Sequence, residues 1–291
     1  MSTSTIHDIG YRHYDGRRNG RGYVLRSLYV HNLRAAFGLG RPARAKIMPF
    51  LLGAIMVLPA AGSVAAFALT KQADALIPYA SYAVIMQVVI AIFTATQAPV
   101  LASRELRFHV VPLYFSRPID HLDFVLAKIG AMATALLAIT AVPITVLYAG
   151  GLVARAPDSG RQFLDYLTAL AGCVLFALVL AAIGMVVAAF TPRRGFGVAA
   201  VIAVYMLSVA FAAIVSTLAE VQGNFTLQGW MSLGTPFELV DTVQVRLLGA
   251  EAAYPVAPGA GGGLVALALC GALALGSIAV LYRRFRKAGL S

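Results

Sequence analysis

Charge is scarce in this chain: only 12% of its residues are Asp, Glu, Lys or Arg, against about a quarter in ordinary soluble domains. Hydrophobic residues make up 60%, and the mean hydropathy is +0.81, which excludes a soluble globular fold. No GxxxxGK[ST] loop is present, so the chain cannot cradle and hydrolyse a nucleotide by itself. There is no HExxH, and no cysteine pairing has zinc-site spacing. The only cysteines, Cys173 and Cys270, fall within apolar runs and read as small packing residues rather than a disulfide or a metal pair. His7, His13, His31, His109 and His121 lie outside those runs and read as solvated, so no metal and no cofactor is expected on this chain. The first 46 residues are polar and basic without an early apolar core, and the expectation is an amino terminus with no cleavable signal.

What is present is a series of apolar runs. A spanning helix takes about 20 mainly apolar residues, because hydrocarbon leaves backbone polar groups no partner outside the helix. Six runs qualify, at 47–69, 77–101, 124–150, 166–190, 196–218 and 264–282. None alternates polar and apolar residues, which argues against a barrel. The predicted fold is an all-α membrane protein with six transmembrane helices over residues 47–282.

Charge asymmetry sets its predicted orientation. With the amino terminus inside, all of the 23 Lys and Arg fall on the inner side except Lys71, Arg155, Arg161 and Arg246. Outside lie Asp74, Asp158, Asp165, Glu220, Glu238, Asp241 and Glu251. The positive-inside rule then places both termini in the cytoplasm of a cell-membrane protein. The formal net charge of +11 is largely this bias and calls for no nucleic-acid partner. The tail "YRRFRK" (282–287) reads as a stop-transfer anchor beside anionic lipid, with residues 283–291 as a cytoplasmic tail.

Residues 1–22 are rich in Gly, Arg and Tyr and read as an irregular arm. Residues 23–40 differ: on a helical wheel Ser27, His31 and Arg34 share one side, while Leu25, Leu28, Tyr29, Leu33 and Ala36 gather on the other. Such a helix lies along the membrane interface rather than crossing it. The loop 219–263 faces outward. Within it Thr235 reads as a cap, Pro236 as the first helical residue, Glu238 as the end of a capping box and Gly249 as the stop of a short external helix. The run "APGAGGG" (257–263) reads as a flexible connection into the last span.

Ionisable groups are missing from the middles of the spans, where a carrier driven by an ion gradient keeps them. Lys128 and Asp165 sit near span ends, where their side chains can reach the interface. Energy for any transport therefore has to come from a partner. The segment "RELRFHVVPLYFSRPIDHLDFVLAK" (104–128) is where a partner would act: "LRFHVVPLYF" can form a short amphipathic helix, Pro118 holds Arg117 extended, and Asp120 can cap the next helix. An interfacial elbow without any partner fits the same residues.

The order "RELRF…PLYFSRPID…LAK" resembles the cytoplasmic loop of type-2 ATP-binding-cassette (ABC) exporter permeases, in which an acidic-basic pair leads a coupling helix and an "RPI" turn precedes a lysine. The layout of six spans, an amphipathic helix before the first and short extracellular helices before the last is similar too. The arm "IHDIGYRHYDGRRNGRGY" resembles amino-terminal segments of permeases from high-GC actinobacteria. The resemblance implies a transport subunit that is not itself an enzyme, with ATP and Mg held by separate cytoplasmic ATPase subunits. It also implies a second permease subunit, identical or paralogous, and a surround of membrane lipid. It assigns the coupling segment to residues 104–122, with Arg104, Glu105, Arg107, Phe108, Val111, Leu113, Tyr114 and Phe115 meeting the ATPase. It gives Leu25, Leu28, Tyr29, Leu33 and Arg34 to the interfacial helix. Pro112, and Phe108-His109 where a small residue and threonine are common, depart from the pattern and leave the length of the coupling helix open.

The resemblance further implies that the second and fifth spans line a path. Gln87, Thr94 and Gln97 fall within about 80° on one helical face. Tyr205, Ser208 and Ser216 share a face of the fifth span, with Phe211 close by. A mainly apolar lining with a few polar groups suits a hydrophobic or amphipathic cargo such as a drug, antibiotic, lipid or peptide; ordinary interhelical hydrogen bonds explain each residue equally well. Alternatives are a permease for glycan or metal-site assembly, a membrane-embedded lipid-modifying enzyme, and a scaffold or sensor.

Overall fold

The computed structural model describes residues 16, 19–71, 76–116, 118–155, 159–191, 193–253 and 255–289. Most of the arm 1–22 and Arg117 of the "RPI" turn lie outside the described residues. The elements are α1 (Arg21–Ala36), α2 (Arg44–Thr70), α3 (Tyr82–Ile85), α4 (Gln87–Leu101), α5 (Ser103–Arg107), α6 (Val111–Phe115), α7 (His121–Val153), α8 (Ser159–Phe190), α9 (Arg194–Val221), α10 (Phe225–Met231), α11 (Pro236–Leu248) and α12 (Gly259–Gly289). No strand occurs among the described residues.

Five of these helices, α2, α7, α8, α9 and α12, are long and apolar enough to cross a membrane. Each contains a predicted span and extends beyond it at one or both ends. The predicted span 77–101 differs. Its helix breaks at Met86 (φ −90°, ψ 15°), which leaves α4 with 15 residues. At 1.5 Å per residue that is about 22 Å, short of a hydrocarbon core of about 30 Å. The preceding segment is tied to α2 instead: the buried Tyr82 hydroxyl donates to the Met56 carbonyl, and the Ile77 N–H donates to Ser63 Oγ at 3.0 Å.

Helix α7 is the spine of the bundle, in contact with α1, α2, α4, α8 and α12. Its long apolar sequence buries Phe124, Met132, Leu136, Ile144 and Leu147 against these neighbours. Helix α1 lies along α7 by the side the wheel predicts: Leu28 is buried, Leu25, Tyr29 and Leu33 are half-buried, and Ser27, His31 and Arg34 are exposed. Tyr29 packs over Gly130 and shares a 2.7 Å hydrogen bond with Thr134.

The cap, the first residue and the stop expected in 235–249 are met; no return bond from the Glu238 side chain is seen among the described residues. Thr235 Oγ1 accepts from the Glu238 N–H at 3.0 Å, Pro236 opens α11, and Gly249 ends it with φ 70°. Yet α11 does not lie apart from the bundle. It packs between α8 and α12, and Phe237 on its first turn meets Phe176 and Tyr205, near the middles of α8 and α9, at 6.2 and 5.8 Å. Helix α11 is therefore turned into the bundle, while α10 packs on α9 and is largely exposed; Ser232, between the two, shares a 2.9 Å hydrogen bond with Thr242.

One further expectation is corrected. Residues 259–263 are not a flexible connection but the first turn of α12. Their glycines permit close approach, since a methyl group on Gly263 would lie 2.7 Å from Arg246 Cβ and one on Gly262 would lie 2.8 Å from Ala257 Cβ. Helix α12 continues to Gly289, and Phe285 is fully buried against Phe124.

Candidate functional site

Between α4 and α7 the chain makes an elbow of two short helices. The sequence suggests one amphipathic helix through "LRFHVVPLYF"; the structure divides it into α5 and α6. His109 takes a left-handed conformation (φ 52°), a region that L residues enter at a cost and where His is one of the more tolerant types. Pro112 then falls in the first turn of α6, where its missing N–H leaves no helical bond unmade.

The elbow is fixed from beneath by Lys128. Near a span end its ammonium was expected to reach the interface; instead the residue is wholly buried. Its Nζ lies 2.8 Å from Glu105 Oε2, donates to Asn32 Oδ1 at 3.4 Å and to the Leu101 carbonyl, and sits 5.0 Å from the centre of the Phe124 ring. One cation on α7 thus joins α1, the end of α4 and α5. The Leu101 carbonyl is one of the last of α4, where helices leave carbonyls unsatisfied and favour positive charge. Asn32 is fixed in turn by donating to the Leu28 carbonyl at 2.8 Å, and Tyr114 on α6 donates to Glu105 Oε1 at 3.3 Å. A buried pair of this kind needs several partners to offset the desolvation of its charges.

Around this network rings stack. Phe115 lies over His121 at 3.9 Å, Tyr114 and Phe115 tilt against Phe124 at 5.2 and 5.6 Å, and Phe124 meets Phe285 edge-on at 5.2 Å. Ser103 Oγ donates to the Ala188 carbonyl at 2.8 Å, tying the elbow to α8. At the start of α1, Arg21 pairs with Asp123 (2.6 Å) and Asp120 (2.8 Å). The hydrogen bond to Asp123, then the attraction of both carboxylates, raises the Arg21 guanidinium above its ordinary value.

The proposed coupling residues divide accordingly. Glu105, Val111, Tyr114 and Phe115 turn inward and hold the elbow, whereas Arg104, Arg107, Phe108 (62% exposed) and Leu113 (69% exposed) face out. Two clefts flank the crossing of α1 and the elbow, with His31 in the wall of both. One of about 750 Å³ is bounded by Arg34, Arg41, Arg104, Arg107 and Phe108. The other, of about 690 Å³, is bounded by Tyr23, Val24, Leu28, Val110, Leu113 and Tyr114.

The proposed path residues are not brought together as a set. Thr94 and Tyr205 do meet: a methyl group on Gly184 of α8 would lie 2.5 Å from Thr94 Cγ2 and 3.4 Å from the Tyr205 oxygen. Both are fully buried, and both hydroxyls are engaged, Thr94 with the Ile90 carbonyl and Tyr205 with that of Leu180. Gln97 is buried and donates to Thr96, and the half-buried Ser208 donates to the Tyr205 carbonyl. Ser216 is half-buried, while Phe211, about a third of a turn round α9 from the buried Tyr205, is 64% exposed. Gln87 adjoins the break at Met86, with its Oε1 buried and without a hydrogen-bond partner among the described residues.

Sequence reasoning passed over Asn32 and the pairing role of Lys128. Asn32 was detectable, because it follows Leu28 by four residues and precedes Ala36 by four, a polar residue on an apolar stripe. Comparison with protein-family models gives no match for this chain, and comparison with curated proteins gives none either.

Proposed function

We propose that the chain is the membrane permease subunit of an ATP-driven ABC exporter for a hydrophobic or amphipathic substrate, powered by a separate cytoplasmic ATPase. The observation that supports this reading is the construction of the elbow: its inner side is bound by Lys128 to three helices, while Phe108 and Leu113 are left exposed, each in the wall of one of the two clefts. An apolar projection on a firmly anchored base suits the transfer of a push. A partner that changes its grip on Phe108 and Leu113 with nucleotide state would move α5, and through Glu105 and Lys128 it would move α1, α4 and α7 together. Coupling of this kind requires contacts that differ between nucleotide states. The cargo path would form between this chain and a second permease subunit.

Co-purification in mild detergent tests the reading. The native complex should retain an ATPase, and Phe108→Asp with Leu113→Asp should release it while the permease stays folded in the membrane. Retention of the ATPase by that variant, or transport by the purified chain alone, would refute the proposal.

A further inference from the structure

The cleft of about 750 Å³ beside α5 has a wall chemistry that docking of a motor protein does not require. Arg34 comes from α1, Arg41 from the turn before α2, and Arg104 and Arg107 from α5; His31 completes the basic side. No Asp or Glu lines it. The nearest acid in sequence, Glu105, is turned away into its pair with Lys128. Among the described residues, Arg34, Arg104 and Arg107 form no ion pair with a carboxylate, and Arg107 rests over the Phe108 ring at 5.5 Å. Arg34 on α1 and Arg104 and Arg107 on α5, which have no carboxylate partner among the described residues, repel one another, and a bound anion relieves that repulsion.

The remaining walls are apolar: Leu39, Pro42, Pro99, Val100 and Phe108. The cleft lies where α2 begins and α4 ends, and the first turns of α2 expose Ile47, Met48, Phe50 and Leu51. A basic pocket at the start of a helix with exposed apolar residues in its first turns matches a molecule with an anionic head and hydrocarbon tails. A soluble acidic peptide would make no use of that face.

We propose that this cleft binds the phosphate-bearing headgroup of one anionic phospholipid, its acyl chains lying along α2. Arg34 of α1 and Arg104 of α5 hold the phosphate, with Arg107 and His31 contributing positive potential. Because α1 and α5 both line the cleft, the lipid bridges the two elements that Lys128 joins from beneath. This site shares Phe108, Arg104 and Arg107 with the proposed ATPase contact, but its test needs neither ATPase nor cargo.

Native mass spectrometry of the full chain in an uncharged detergent, with added lipid, gives the readout. Dioleoylphosphatidylglycerol should be retained as a single adduct, dioleoylphosphatidylcholine should be lost readily, and rising salt should weaken the retention. Arg34→Gln with Arg104→Gln should lower retention about tenfold or more, as expected for loss of two charges near a lipid phosphate. The charge-preserving Arg34→Lys with Arg104→Lys should keep most of it and guards against misfolding of the glutamine variant. Arg155→Gln with Arg161→Gln, in exposed positions just after α7 and at the start of α8, at the end of α7 far from the elbow, should change nothing. Equal retention of phosphatidylcholine, an equal loss in the Arg155/Arg161 variant, or no loss in the Arg34/Arg104 variant would overturn the site. Displacement of the lipid by an equal concentration of glycerol 3-phosphate would overturn its assignment to a lipid in favour of a free phosphate.

Discussion

The elbow and α11 are both short helical segments between long helices, yet they are held in opposite ways. Helix α11 is fixed by caps and apolar burial: Thr235 and Gly249 bound it, and Phe237, Leu239, Val240 and Val243 are buried. The elbow is fixed by a buried cation, a few hydrogen bonds and stacked rings, and it keeps Phe108 and Leu113 outside. The difference separates a wedge held by apolar packing from a surface projection held by a buried ion pair with α7.

That contrast can be broken first at the wedge. Phe237→Ala removes a fully buried ring that meets two others and should lower stability by about 4 kcal/mol, read by thermal unfolding in detergent. Lys128→Met strands Glu105 and should lower stability by about 3 kcal/mol, toward the low end for a broken buried pair because Glu105 keeps some contact with water. Lys128→Met with Glu105→Leu should recover most of that loss. A double variant as unstable as the single one would show that the pair does not hold the elbow. Thr235→Ala should lower stability by about 1 kcal/mol through loss of the cap. Leu113→Asp, at the smallest end, should shift stability by no more than about 0.5 kcal/mol, while substrate-stimulated ATP hydrolysis by the assembled complex falls sharply. Unchanged stimulation would remove Leu113 from the coupling role.

The two regions also differ in how far they were legible beforehand. Both ends of α11 follow from Thr235, Pro236, Glu238 and Gly249, because capping acts within one turn. Its insertion against Phe176 and Tyr205 does not follow, since a loop between spans can lie outside the bundle or fold into it with the same caps. In the elbow, Pro112 flagged a discontinuity, but only the structure locates it at a left-handed His109. The polar faces drawn on the second and fifth spans placed Thr94 and Tyr205 near one another without distinguishing a packed seam from an open lining.

The sequence by itself determined that the chain is helical and membrane-like, which residues form most of its long helices, which side of α1 packs, and where α11 starts and stops. These depend on hydropathy, periodicity and capping, all short-range. Tertiary structure decided the break at Met86, the helical state of 259–263, the exposure of Phe211 beside a buried Tyr205, and the burial of Lys128. Each is set by neighbours distant along the chain, as when Lys128 meets Asn32 across 96 residues. The energy of such a meeting depends on what surrounds both partners, and no local pattern carries that information.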